Sequence, residues 1–121
     1  MSFKSLTPVL YTEQMEETIN FYTTYLGFTC GAKNDSWNWA TMHRDTIDIM
    51  LAKPNAHIPF DKPVFSGSFY IKVDDVELLW DNLKDKVNVC YPLETFEWNM
   101  REFAIYDNNG YLLQFGQDLL E

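Results

Sequence analysis

Basic residues, histidines and cysteines are all scarce in this chain, and no long apolar run is present. The 9 Lys and Arg stand against 18 Asp and Glu, a formal charge of −9. Such a surface repels a phosphate backbone, so nucleic acid is excluded as the expected partner. A cationic or neutral small ligand fits better, although acidity for solubility alone gives the same excess. Two cysteines, Cys30 and Cys90, are too few for a disulfide scaffold. No stretch reaches the roughly 20 apolar residues of a membrane span. Met1-Ser2-Phe3-Lys4-Ser5 lacks the apolar core of a signal peptide. The expectation is a cytoplasmic chain with reduced thiols and no membrane partner. Two histidines, His43 and His57, leave little for a catalytic zinc site or for Ser–His or Cys–His catalysis. Glycine-rich phosphate loops and the G-x-S-x-G and H-E-x-x-H motifs are absent as well.

What the chain has is aromatic and apolar material. Of its 121 residues, 46 % are hydrophobic and 17 % aromatic, enough for a packed core and too much for a disordered chain. The length fits a single domain over residues 1–121. Within it lies an internal repeat. A strand-like run at 5–12 leads into a helical stretch in which Met15, Ile19, Tyr22 and Leu26 recur at helical spacing, with a stop at Gly27. A second run at 66–73, offset by 61 residues, leads into Val76, Leu79 or Trp80, Leu83 and Val87 at the same spacing. Asp74 with Glu77 three residues on looks like a capping box. Three strand-like runs follow each helix: about 29–33, 37–43 and 46–52, then 88–95, 101–106 and 111–115. Asp107-Asn108-Asn109-Gly110 is a strong turn signal. Residues 53–64, with Pro54, Pro59 and Pro63, read as a linker between modules at about 3–53 and 65–118. Each module is β-α-β-β-β.

This tandem pattern resembles the vicinal oxygen chelate superfamily, the glyoxalase, bleomycin resistance protein and dioxygenase group. Three stretches carry the resemblance: Asn20-Phe21-Tyr22 with Leu26-Gly27-Phe28; Phe69 to Asp75; and Trp98-Asn99-Met100-Arg101-Glu102 running through Asp107-Asn108-Asn109-Gly110 to Gly116. The last is closest to bleomycin-resistance-like members, with Asn108 where proline is usual. The resemblance implies an α+β fold in which two modules form a curled mixed-sheet cup, and a homodimer with grooves at the junction of two chains. It also implies that metal-using members hold their ion on the first and last strands of each module. Those positions fall here on Thr7, Asp48, Ser68 and Gln114. Hydroxyls and an amide are poor ligands for a divalent transition metal, so neither metal nor cofactor is expected.

Strand alternation then proposes what lines the cup. With Arg44-Asp45 as the hairpin loop, Thr41 faces Asp48 and Trp39 faces Met50, and Trp37 shares their side. With 107–110 closing the last hairpin, Phe103 faces Gln114 and Arg101 faces Gly116. Tyr70 and Ser68 share a face of their strand. Trp98 comes from the family-like motif. The ligand-contact set is therefore Trp37, Trp39, Asp48, Met50, Tyr70, Trp98, Phe103 and Gln114. Several have a plainer reading too: sheet cover or subunit contact for Trp37 and Trp39, closure of the hairpin base for Trp98, a surface carboxylate for Asp48, a partner within the protein for Gln114, and a cross-strand salt-bridge set for Arg101 and Glu102. The expected function is metal-free binding and sequestration of a planar or cationic small molecule, of the antibiotic-resistance type. The alternatives are a metal-dependent lyase, isomerase or dioxygenase of the same superfamily, or an accessory dimer without a small ligand.

Overall fold

The computed structural model describes residues 1–34, 36 and 38–121; Trp37 and Asp35 lie outside the described residues. The chain forms two compact units, Met1–Lys62 and Pro63–Glu121. Each holds one βαβββ module.

The first unit runs β1 (Val9–Tyr11), α1 (Met15–Thr24), β2 (Thr29–Asn34), β3 (Trp39–Arg44) and β4 (Ile47–Ala52). Its sheet has the order β1-β4-β3-β2, with β1 parallel to β4 and the remaining pairs antiparallel. Ile19, Phe21 and Tyr22 bury the apolar stripe of α1, and Leu10, Ala40, Met42, Ile49 and Leu51 are the buried residues of the sheet. The helix start is held from outside. The Thr12 hydroxyl accepts the Gln14 N–H at 2.9 Å and lies 2.9 Å from the Thr18 hydroxyl. The helix closes with the Tyr25 N–H on the Phe21 carbonyl and the Phe28 N–H on the Tyr22 carbonyl, and the turn after it is held by Arg44, whose guanidinium donates to the Leu26 carbonyl at 2.6 Å. Gly27 is required beneath it: its φ is +69°, and a Cβ there would stand 3.0 Å from Arg44 Nη1.

The β3–β4 hairpin differs in register from the expected one. Arg44 stays in β3 opposite Ile47, so the hairpin loop is Asp45-Thr46, with Asp45 in the left-handed region at φ 51°. The loop expected from sequence, Arg44-Asp45, is one residue early. Both strands shift together, so the faces are kept but the partners change: Thr41 faces Met50, His43 faces Asp48, and Trp39 faces Ala52. The first strand is also shorter than expected. Pairing begins at the Pro8 carbonyl, which accepts the Met50 N–H at 2.9 Å.

The second unit runs β5 (Phe69–Lys72), α2 (Val76–Leu83), β6 (Asn88–Thr95), β7 (Met100–Tyr106) and β8 (Leu112–Asp118), with sheet order β5-β8-β7-β6. Asp75, not Asp74, caps α2, accepting the Leu78 N–H at 3.1 Å. The β7–β8 turn has three residues, not four. Asp107 N–H donates to the Tyr111 carbonyl, and Asp107 Oδ1 accepts the N–H groups of Asn109, Gly110 and Tyr111. An odd loop slips the expected register by one residue, which exchanges the faces of one strand relative to the other. Phe103 therefore faces Phe115, and Gln114 faces Ala104.

Phe103 thus turns away from Gln114 and toward α2. It is fully buried, with its ring 5.1 Å from Trp80 and 5.3 Å from Phe115. It is a core residue of the second unit, not part of the face that Gln114 and Tyr70 share. Arg101 goes the same way, pairing with Glu77 of α2 at 2.5 Å. Phe103→Ala is accordingly expected to cost about 3–5 kcal/mol of stability, the usual loss for a buried phenylalanine. Urea denaturation measures it; a loss below about 1 kcal/mol would return Phe103 to the other face.

Candidate functional site

With the registers fixed, the face of each sheet away from its helix can be read directly. In the second unit it carries Ser68, Tyr70, Tyr91, Glu102, Ala104, Gln114 and Gly116. Glu102 is its centre. The residue is only 2 % exposed, and its carboxylate accepts from three aromatic side chains. Tyr70 Oη donates to Oε1 at 2.9 Å, Trp98 Nε1 donates to Oε1 at 3.0 Å, and Tyr91 Oη donates to Oε2 at 2.5 Å. The set continues through Gln114, whose Nε2 donates to Tyr91 Oη at 2.9 Å, to Ser68, whose hydroxyl donates to Gln114 Oε1 at 2.5 Å.

Local backbone features make these contacts reachable. Tyr91 sits between two register shifts of β6, which re-aim its side chain as bulges do. Gly116 faces Glu102 across the β7–β8 pair. A Cβ at Gly116 would lie 2.1 Å from Tyr70 Oη, so only glycine lets the phenol cross β8 to the carboxylate. Phe96 stacks on Trp98 at 4.7 Å and meets Tyr91 edge-on at 5.9 Å, which supports the indole from outside the hydrogen-bond set. Desolvation, then the bond to Glu102, pushes the Tyr91 phenol up to about 12. The same two causes raise Tyr70 further.

The matching face of the first unit is different. His43 Nδ1 donates to Asp48 Oδ1 at 2.6 Å, and His43 Nε2 lies 3.1 Å from Thr41 Oγ1. Gly31 leaves room for this imidazole, since a Cβ there would be 2.7 Å from Nε2. Asp48 is thus bonded to His43 and lies four residues, about 13 Å of strand, from the level of Trp39. A single small planar cation cannot use both, as the expected register had allowed. Trp39 instead lines a hollow of about 350 Å³ with Gln14, Met15, Glu16, Glu17, Asn34 and Asn38. In that wall Glu16 is ion-paired with Lys33.

Of the expected contacts, the structure brings together Tyr70, Trp98 and Gln114. It separates Trp39 from Asp48, sends Phe103 to the core, and leaves Met50 on the sheet face opposite Thr41. Sequence reasoning missed Glu102 as a centre and Tyr91 altogether. The signal for Glu102 was the odd three-residue turn; Tyr91 depends on two bulges that no local pattern announces.

Residues 5–115 match the profile of the Glyoxalase/Bleomycin resistance protein/Dioxygenase superfamily. The chain belongs to this superfamily. Among solved structures it is similar to TioX from Micromonospora sp. ML1, with TM-score 0.78, 15 % identity, and 97 % of this chain and 100 % of that one covered. It is similar to a glyoxalase/bleomycin resistance protein/dioxygenase from Nocardioides, with TM-score 0.79, 18 % identity and coverages of 98 % and 86 %. A lactoylglutathione lyase from Agrobacterium tumefaciens gives TM-score 0.75, 18 % identity and coverages of 97 % and 95 %. At such identities the likeness is one of fold, the α+β tandem βαβββ arrangement. No curated protein sequence matches.

Superfamily members with a metal centre invite a test of the donors here. In the second unit Ser68 and Gln114 are engaged with each other and with Tyr91. In the first, the β4 residue paired with β1 as Gln114 is paired with β5 is Met50, opposite Val9, rather than Asp48. Hydroxyl, thioether and amide do not fit a divalent transition metal. Among the described residues no three His, Cys, Asp or Glu side chains gather. No helix among them is long and apolar enough to cross a membrane.

The raised phenols set a pH window. An unfolded phenol ionises near 10, whereas Tyr91 holds its proton to about 12 and Tyr70 beyond. The unfolded chain therefore loses phenol protons first. Stability from these groups is complete below about pH 10 and declines as pH rises toward 12. Ultraviolet titration should show Tyr70 and Tyr91 ionising late, with the urea midpoint falling over the same interval; ionisation of every tyrosine near 10 would contradict the buried hydrogen-bond set.

Proposed function

We propose that this superfamily member is a metal-free small-molecule binding protein of the bleomycin-resistance-like kind. It sequesters a planar ligand, cationic by preference, in an aromatic groove at a homodimer interface, and it breaks no bond. Ser68 and Gln114 carry the reading. They stand where the family resemblance puts metal ligands, yet they spend their polar groups on each other and on Tyr91. Beside them Tyr70 and Trp98 are 43 % and 57 % exposed, offering flat apolar surface with the polar edges already satisfied. That composition suits stacking of a planar molecule. The formal charge of −9 adds long-range attraction for a cation. Exposed Phe3, Leu6, Val64, Phe65 and Leu120 support a second copy as the partner that covers them. A cytoplasmic location and a role in antibiotic resistance belong to the same proposal.

The test is a titration of tryptophan fluorescence with three isosteric probes: N-methylacridinium, uncharged acridine and acridine-9-carboxylate. Binding is expected in that order of affinity, and Trp98→Ala should weaken the first two by about tenfold, the cost of losing one stacked ring. Equal, negligible quenching by all three defeats the binding reading. Elemental analysis of untagged protein after dialysis is expected to show no stoichiometric transition metal. Sedimentation at micromolar concentration should give twice 14.3 kDa, with a buried interface above roughly 1,000 Å².

A further inference from the structure

Glu102 poses a question that the binding proposal does not answer. A carboxylate is costly to bury and normally has a cation beside it. None of the ion pairs among the described residues involves Glu102. Its sequence neighbour Arg101 points to the other face, toward Glu77. Compensation comes entirely from neutral donors, and all three belong to aromatic rings.

The directions of these bonds matter more than their number. Ser68 donates to Gln114, Gln114 donates to Tyr91, and Tyr91 donates to Glu102. Tyr70 and Trp98 donate to Glu102 as well. Every chain of donation ends on the carboxylate, so each bond polarises the next in the same sense. A neutral amide of the same shape would accept from Tyr70 and Trp98 but present an N–H to Tyr91, whose hydroxyl would have to turn and stop donating there. The donors also come from different elements: Tyr70 from β5, Tyr91 from β6 and Trp98 from the segment before β7. Two of those side chains are well exposed, with solvent on one side of each ring. Fixing exposed rings before a ligand arrives lowers the entropy lost on binding.

We infer that Glu102 is a positioning residue: its buried charge holds Tyr70, Tyr91 and Trp98 as a preset recognition surface, and it is not the counter-ion of the ligand. The inference rests on the binding proposal for this same face. It makes a distinct demand, however. A counter-ion discriminates by ligand charge, whereas a clamp on the rings serves charged and uncharged planar molecules alike.

The experiment is Glu102→Gln in the full chain, titrated with N-methylacridinium and with uncharged acridine. Both affinities are expected to fall together by about fivefold or more, since loss of preorganisation is independent of ligand charge. Tyr70 and Tyr91 should ionise at lower pH than in the wild type, and acrylamide should quench Trp98 more readily. Loss of cation affinity alone would overturn the inference and make Glu102 the counter-ion. Unchanged affinities with unchanged tyrosine ionisation would overturn it too. Should the wild type bind neither probe, the binding proposal fails, while tyrosine ionisation and quenching still decide whether Glu102 clamps the rings. Tyr70→Phe is the second variant, should Glu102→Gln not fold. It removes one donor from an exposed side chain and is expected to weaken both probes alike; weakening of one probe only would count against the clamp.

Discussion

A carboxylate taken out of water without a cation must collect hydrogen bonds from neutral donors, and this constraint organises the second unit. Glu102 satisfies it with two phenols and an indole. Meeting the demand reaches into every strand of the sheet. Gly116 of β8 must lack a side chain so that Tyr70 can cross it, and β6 must bulge on both sides of Tyr91. Gln114 of β8 must point its amide nitrogen at Tyr91, and Ser68 supplies the hydroxyl that orients Gln114. A shift of one residue anywhere in this sheet would break several of these contacts at once.

The first unit solves a different problem with a similar device. There Arg44, the last paired residue of β3, reaches back to the Leu26 carbonyl in the turn after α1. The hairpin register pairs His43 with Asp48. In both units a glycine makes the room, Gly27 beneath Arg44 and Gly116 beneath Tyr70. The repeat in sequence thus keeps the backbone plan while the polar contents of the two sheets diverge.

Much of the architecture was legible because hydrophobic period and turn residues are local. The βαβββ plan, the position of both helices and the glycine stop at Gly27 all follow from spacings of a few residues. The three stretches of family resemblance agree with the superfamily match over residues 5–115. The face of Tyr70 was equally legible, since alternation within one strand needs no partner. What failed was register between strands. The first hairpin moved by one residue on both sides and kept its faces, whereas the second closed on an odd loop and exchanged them. Phe103 and Glu102 changed places for that reason alone.

The sequence by itself determined the class of fold and the supply of aromatic side chains. Those are properties of composition and of short-range pattern. The tertiary structure decided which aromatics converge and on what. Tyr70 and Glu102 are 32 residues apart in the chain, and Ser68 and Gln114 are 46 apart. Their meeting depends on the pairing of β5 with β8 and on a turn held by the Asp107 carboxylate, and the arrival of Tyr91 beside them depends on bulges in an edge strand. Such features cost or gain only a hydrogen bond or two locally, so local sequence cannot choose between them; the packed sheet, which must satisfy a buried charge, does.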